Sequence, residues 1–201
     1  MAYKARTKSN ELIILEVLYN RMNLSGKDKQ HYFNLKKGYE GEIQFDKLAS
    51  KFQCDCFILN DLLLETNHTT FQIDSLIITA EKIYFFEVKN YEGDYFYHSD
   101  KLYKKPETEI LNPLNQLSRS ESLLRQILLN LGYKLPIEAS VVFINPQFML
   151  YQAPLNIPFI FPTQINRYMA KLNTTSSKMT KNNQHLADKL VSLHITDSPY
   201  S

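Results

Sequence analysis

This sequence of 201 residues has no tryptophan, only two cysteines and no long hydrophobic run. Cys54 and Cys56 are separated by one residue, so in a strand their thiols would face the same way about 7 Å apart, which excludes a disulfide framework. Without further cysteines nearby they are a weak metal signal, and a reducing environment is expected. No segment approaches the roughly 18 apolar residues of a spanning helix, and Glu11 and Glu16 interrupt any signal-like stretch. We expect a cytoplasmic protein without membrane contact.

The sequence also lacks an excess of charge of one sign, since it has 23 Lys and Arg residues and 21 Asp and Glu residues. The resulting net charge of +2 neither demands nor excludes a nucleic-acid partner, so any basic patch must be local. There is no internal repeat and no low-complexity tract. The length and the hydrophobic content of 44% predict one globular domain with a core of its own, extended at its termini.

Hydrophobic periodicity predicts a mixed α/β fold. Strands 70–80 and 82–90 are separated by almost nothing and should form a hairpin, and residues 94–105 should form a smaller one that turns at Ser99 and Asp100. The other predicted elements are strands 55–65 and 138–145, helices 9–23, 38–52, 112–132, 163–172 and 179–194, and a polar helical segment at 28–36. We expect a core at 38–145 between a helical N-terminal extension, 1–37, and a helical C-terminal extension, 146–201, packed on that core.

Two acidic residues interrupt the apolar strands of the larger hairpin. If Ala80 and Glu81 form a two-residue loop, paired residue numbers sum to 161 and Asp74 lies opposite Glu87. Cross-strand neighbours have Cβ atoms about 4.5–5.5 Å apart, so one carboxyl must be protonated or a cation must lie between them. Mg²⁺, which prefers oxygen ligands, suits two carboxylates and waters. The turn, however, lacks the glycine or asparagine that is typical of such loops.

Two further polar residues are predicted near this pair. Lys89 shares a strand face with Glu87, because residues i and i+2 point the same way, and its ammonium could orient water or stabilise phosphate charge. Glu42 borders the apolar stripe of helix 38–52 and could bind a second metal or the attacking water. Taken alone, Glu87 and Lys89 could also be an ion pair at a solvated strand end.

The spacing D-x12-E-x-K resembles the PD-(D/E)xK nuclease superfamily, and the text around it resembles one of its branches, the nuclease-related domain (NERD) family. Four ordered segments carry the resemblance: "GYEGE" (38–42), "FQIDSLIIT" (71–79), "YFFEVKNYEGDYF" (84–96) and "NPLNQ" (112–116). The chain departs from the family in lacking a glycine at the hairpin turn and in having Tyr103 where the family tends to carry tryptophan.

The resemblance implies a restriction-endonuclease-like α-β-β-β-α-β core with a mixed central sheet, and a Mg²⁺-dependent nuclease, with Mn²⁺ as a substitute, acting on DNA. It implies a catalytic set that consists of Glu42, Asp74, Glu87, Lys89 and Gln116. The metal ligands would be Asp74, Glu87 and the Val88 carbonyl, with Glu42 at a second metal or water.

Several alternatives remain at the level of sequence. The fold could serve as a silent or partner-activated module that binds nucleic acid or a protein, or it could form a homo-oligomer. Asn112 suits a helix N-cap better than a ligand, and without the resemblance Gln116 is a polar boundary residue. Basic residues could line a phosphate-facing rim or simply be solvated: Lys36, Lys37, Lys101, Lys104, Lys105, Arg119 and Arg125.

Overall fold

Five helices and nine strands form the described part of the chain, residues 2–174 and 178–196 of a computed structural model. The helices are α1 (Asn10–Arg21), α2 (Gly26–Ala49), α3 (Pro113–Asn130), α4 (Pro162–Asn173) and α5 (Lys181–Ser192). The strands are β1 (Phe57–Thr66), β2 (Thr69–Ile78), β3 (Ile83–Lys89), β4 (Gly93–His98), β5 (Lys101–Lys104), β6 (Thr108–Ile110), β7 (Ile137–Phe143), β8 (Phe148–Tyr151) and β9 (Phe159–Ile160). None of the described helices is long and apolar enough to cross a bilayer.

The central sheet has five strands in the order β1-β2-β3-β7-β9. β1, β2 and β3 are antiparallel neighbours, whereas β7 runs parallel to both β3 and β9. Helices α3 and α5 contribute to the apolar cluster on one face, and helices α2 and α4 contribute to the cluster on the other. The sheet is therefore covered on both sides, which explains the nearly continuous apolar text of β3 and β7. The mixed α/β fold and the order α2-β1-β2-β3-α3-β7 are confirmed.

The β2–β3 hairpin has the predicted register, with pairs such as Ser75–Phe86 whose numbers sum to 161. The Thr79 N–H donates to the Lys82 carbonyl at 3.0 Å and closes the two-residue loop. The Thr79 hydroxyl also donates to that carbonyl, at 2.9 Å, and accepts from the Lys82 N–H at 3.3 Å. These side-chain hydrogen bonds stabilise a turn that has no glycine.

A second sheet has the strand order β6-β5-β4-β8. Strands β4, β5 and β6 come between β3 and α3 in the chain, whereas β8 follows β7. Its hairpin turns at Ser99 and Asp100, as predicted, and both have the positive φ of a type I′ turn, 48° and 61°. The short strands β6, β8 and β9 were not predicted. Helix α2 is longer than predicted. It begins at Gly26, directly after the N-cap Ser25, and continues without a break through residues 37 and 38, so that the two predicted helical segments form one helix.

The residues before α1 lie along β1, which is the edge strand of the central sheet. The Tyr3 N–H donates to the Ile58 carbonyl at 2.8 Å, and the Asn60 N–H donates to the Lys4 carbonyl at 3.0 Å. We call residues 2–8 the N-terminal arm. The arm covers hydrogen-bonding groups that an edge strand would otherwise expose, and it brings Arg6 to the carboxyl groups of α2.

Candidate active site

Asp74 on β2 and Glu87 on β3 are both buried, with 7% and 1% of their surface exposed. One Asp74 carboxylate oxygen, Oδ2, accepts a hydrogen bond from the Val88 N–H at 2.7 Å. Glu87 Oε1 accepts from the Lys89 ammonium at 2.7 Å, but Glu87 Oε2 is buried and has no hydrogen-bond partner in the described part of the chain. The hairpin thus brings Asp74, Glu87 and Lys89 together and leaves one carboxylate oxygen unpaired.

The electrostatics of the pair reflect burial of like charges. Burial and then the charge of Asp74 raise the pKa of Glu87 to about 7, although Lys89 opposes the shift. Burial also raises the pKa of Asp74, against the effects of Lys89 and of the Val88 N–H. Burial would lower the pKa of Lys89, but Glu87 and Asp74 outweigh it and the pKa is raised. The cluster therefore contains one firmly charged ammonium beside two carboxyl groups that resist ionisation.

Helix α3 places a fourth predicted residue beside this cluster. Gln116 Oε1 accepts a hydrogen bond from the Lys89 ammonium at 3.1 Å. Asn112 is the N-cap of α3, as predicted, because its side chain accepts from the Leu114 N–H at 3.0 Å. Pro113 is the first residue of the helix, where its fixed φ is already helical and its missing N–H costs nothing. Lys89 is therefore held between a carboxylate of β3 and an amide of α3.

Glu42 follows Gly41 on α2, where the helix closely approaches the residues after β3 and β7. A Cβ built on Gly41 would lie 2.6 Å from Asn90 Cβ and 3.1 Å from Ile144 Cγ2, so a side chain there would force the elements apart. Burial, followed by the charge of Asp74, raises the pKa of Glu42 to about 8, against the opposing effect of Arg6. The charge of Asp74 thus acts on Glu42, and the role of Glu42 in the site stays a prediction.

Two further residues at this place, Arg6 and Asp46, were not predicted from the sequence. Arg6 Nη1 donates to Glu42 Oε2 at 2.6 Å, and Arg6 Nε donates to Asp46 Oδ2 at 3.0 Å. Asp46 follows Glu42 by four residues on α2, so helical spacing could have placed it on the same face. No local pattern indicates Arg6, because its position depends on how the N-terminal arm docks on β1.

The donor set at the hairpin consists of oxygen atoms, which suit a hard cation. No three His, Cys, Asp or Glu side chains converge as a ligand group within residues 2–174 and 178–196. A divalent cation would therefore rely on Asp74, Glu87, a main-chain carbonyl and waters, a donor set that Mg²⁺ accepts. Such a cation would satisfy Glu87 Oε2, which has no partner in the part of the chain that the structure describes, since a buried carboxylate oxygen without a partner is costly.

A groove of about 620 Å³ lies next to the end of β3 and is lined by residues of α2 and of the segments after β3 and β7, among them Lys36, Lys37 and Asn90. The predicted basic rim is partly neutralised. Lys37 pairs with Glu92 at 2.6 Å, and two further rim residues, Lys101 and Arg125, pair with Glu109 and Glu121. These exposed pairs favour the interpretation of a solvated surface for part of the rim.

Comparison with known proteins bears on the family. A family model described as "Nuclease-related domain" matches residues 37–144, which is more than half of the chain.

The chain belongs to the nuclease-related domain (NERD) family.

The matched region of this NERD protein runs from the middle of α2 to the residue after β7 and contains Glu42, Asp74, Glu87, Lys89 and Gln116. The N-terminal arm with Arg6 lies outside it. No functionally curated protein matches the chain. Among solved structures, protein VC1899 from Vibrio cholerae is similar at 12% identity and a TM-score of 0.37; the alignment covers 80% of this chain and 41% of that one.

Proposed function

We propose that this NERD protein is a metal-dependent nuclease that hydrolyses phosphodiester bonds, with DNA as its substrate. The observation that carries the proposal is the buried Glu87 Oε2, which has no hydrogen-bond partner among the described residues and lies in one cluster with Asp74 and Lys89. Asp74, Glu87 and the Val88 carbonyl would hold Mg²⁺, for which Mn²⁺ would substitute. When bound, the metal would supply a Lewis acid that neutralises phosphate charge and makes water more acidic.

In this proposal Lys89 is the residue that meets the substrate. Its ammonium has three N–H donors, of which Glu87 and Gln116 each accept one. The third N–H has no hydrogen-bond acceptor among residues 2–174 and 178–196, so it can bind a phosphate oxygen or the attacking water, and 19% of the side chain is exposed to solvent. Because the ammonium is preorganised by two partners, little reorganisation is needed when charge develops on the phosphate.

Gln116 has a positioning role in this proposal. Its Oε1 holds Lys89, while its amide N–H groups can bind the substrate or the attacking water. Since Asn112 and Pro113 define the start of α3, the Gln116 amide comes from a rigid first turn of that helix. Glu42, the remaining member of the predicted set, is paired with Arg6.

The test is cleavage of plasmid and of linear single- and double-stranded DNA with Mg²⁺, Mn²⁺ or EDTA. Glu87→Gln removes a metal ligand, and Glu138→Gln is its matched control, because Glu138 is also a strand glutamate paired with a lysine, Lys82, at 2.9 Å. We expect metal-dependent cutting by the wild type and Glu138→Gln and none by Glu87→Gln. RNA of the same sequence tests the choice of DNA, and cutting that persists in Glu87→Gln contradicts the site.

A second candidate is a nuclease-fold module that binds nucleic acid or a protein without cutting. It is favoured by the absence, within the described residues, of a third converging acidic ligand and by the direct pairing of Lys89 with Glu87. It also gains support from α1, where Ile13, Ile14 and Val17 are exposed. DNA binding of equal strength with and without Mg²⁺, together with no cleavage of any substrate, would favour this second candidate.

A further inference from the structure

Arg6 is the most deeply buried cation of the N-terminal arm, with 1% of its side chain exposed. Its guanidinium donates to both Asp46 oxygens, Nε to Oδ2 at 3.0 Å and Nη2 to Oδ1 at 3.1 Å. Nη1 donates to Glu42 Oε2 at 2.6 Å and Nη2 to the main-chain carbonyl of Asp74 at 2.7 Å. Four of the five guanidinium N–H groups are therefore used, in the bidentate geometry that makes arginine–carboxylate pairs strong.

The groups that Arg6 binds are also the ligands that a second metal ion would need. Two carboxylates and a main-chain carbonyl oxygen are ligands that a hard divalent cation takes. Glu42 and Asp46 are 21% and 17% exposed, so they lie at the border of the site and would otherwise be accessible to an ion. Because the buried guanidinium already supplies positive charge and hydrogen bonds to all three groups, it competes directly with a cation for them.

We propose that Arg6 takes the place of a second divalent cation, so that the site binds a single divalent cation, at Asp74 and Glu87. The inference rests on the proposed function and deepens it, since it assigns the number of metal ions and the role of Glu42. Glu42 is then committed to Arg6 and is a positioning residue. It holds the guanidinium against the Asp74 main chain and so fixes the middle of β2, where the cation binds.

Counting bound Mn²⁺ tests the inference without relying on activity. Free Mn²⁺ measured by electron paramagnetic resonance during a titration gives the number of ions bound per chain. We expect one ion on the wild type, and a second, weaker one on Arg6→Gln, because Glu42 and Asp46 are then free to bind it. Arg6→Lys keeps a positive charge and should bind one ion. Asp74→Asn should lose the ion that the wild type binds at Asp74 and Glu87.

Lys4 provides the matched control for docking of the N-terminal arm. It lies two residues from Arg6 and donates to the main-chain carbonyls of Asn60 and Asp61 at 2.9 and 2.6 Å, so it anchors the arm without touching Glu42 or Asp46. Lys4→Met should therefore still bind one Mn²⁺. If Lys4→Met gains a second ion as Arg6→Gln does, loosening of the arm explains the effect and the inference is wrong.

A second variant keeps the inference testable if Arg6→Gln does not fold. Glu42→Gln retains an acceptor for Arg6 but removes a carboxylate, so it should still bind one Mn²⁺ per chain and no second ion. Loss of that ion in Glu42→Gln, or two ions on the wild type, overturns the inference while leaving the nuclease proposal standing. A wild type that binds no Mn²⁺, with Asp74→Asn indistinguishable from it, overturns both.

Discussion

The Val88 N–H on β3 donates a hydrogen bond to the Asp74 carboxylate on β2, with 2.7 Å between nitrogen and oxygen. The bond joins the two strands at the point where their charged residues meet. It also orients the Asp74 side chain, because one oxygen is fixed by the main chain of the residue between Glu87 and Lys89. The Asp74 side chain thus has a structural role in addition to its proposed metal-binding role.

Replacing Asp74 should separate these roles. Asn at position 74 keeps an oxygen that accepts from Val88, whereas Ala leaves that buried N–H without a partner. We expect Asp74→Ala to unfold at lower denaturant, with a free energy of unfolding about 1–3 kcal/mol below that of Asp74→Asn. Both variants should lose cleavage. Urea unfolding of the two proteins checks this, and equal stability of Asn and Ala would show that the Val88 hydrogen bond contributes little.

Stability of the metal-free protein should fall as pH rises through neutrality. Burial and the charge of Asp74 raise the pKa of Glu87 from its ordinary 4.5 to about 7. Between those pH values the folded state keeps a proton that the unfolded state has lost, so the contribution to stability is full below 4.5 and is lost as pH rises through 7. Glu42, whose pKa is raised to about 8, makes the stability fall with rising pH in the same way.

Thermal unfolding in EDTA from about pH 5 to pH 8 measures this effect. Glu87→Gln should show a flatter profile, because it removes up to about 3 kcal/mol of pH-linked free energy. Added Mg²⁺ should stabilise the wild type more at the higher pH, since a cation binds the ionised carboxylates. An identical slope for the wild type and Glu87→Gln would mean that Glu87 titrates normally in the folded protein.

Gly41 and Gly38 form a matched pair on α2. A Cβ at Gly41 would lie 2.6 Å from Asn90 Cβ, whereas one at Gly38 would have no neighbouring atom within 4 Å. We expect Gly41→Ala to destabilise by about 1–3 kcal/mol through overpacking and to reduce cleavage by moving Glu42. Gly38→Ala should stabilise the helix by about 0.5–1 kcal/mol. Denaturant unfolding of both variants measures these changes. Similar free energies of unfolding for the two variants would contradict the close approach of α2 to Asn90 at Gly41.

Much of the fold was predictable because local signals determine it. A two-residue loop at Ala80 and Glu81 fixes the register of the larger hairpin, since every pair follows from the turn. The N-cap Asn112 and the positive φ of Gly132, 82°, likewise mark the ends of α3 by their own chemistry. The positions of Asp74 and Glu87 followed from this register, so the proposed metal site could be located from sequence.

The parts that were missed depend on contacts distant in sequence. The first turns of α2 are polar and bury only Tyr32 before Gly41, so hydrophobic periodicity gave no clear start. Strand β9 has two residues and owes its existence to pairing with β7. Arg6 reaches Glu42 only because the N-terminal arm follows the edge of β1, and no spacing along the chain records that docking.

Lys89 should be the most sensitive catalytic position. Lys89→Met keeps the length of the side chain but removes all three N–H donors, and we expect cleavage to fall by about 10²–10³, as for loss of a preorganised donor to developing charge. Lys89→Arg keeps charge but changes geometry, so it should retain part of the activity. Gln116→Leu should lose less than Lys89→Met, because it removes one partner of the ammonium and leaves Glu87 in place.

Single-turnover cleavage rates at saturating Mg²⁺ check this ranking, with Lys82→Met as the control. Lys82 is also a lysine of the β2–β3 hairpin and also pairs with a glutamate, Glu138, but at the turn end, away from Gln116. Loss of its exposed ion pair should leave the rate unchanged. A wild-type rate for Lys89→Met would remove the ammonium from the mechanism, and an equal loss in Lys82→Met would point to the hairpin's stability instead of its chemistry.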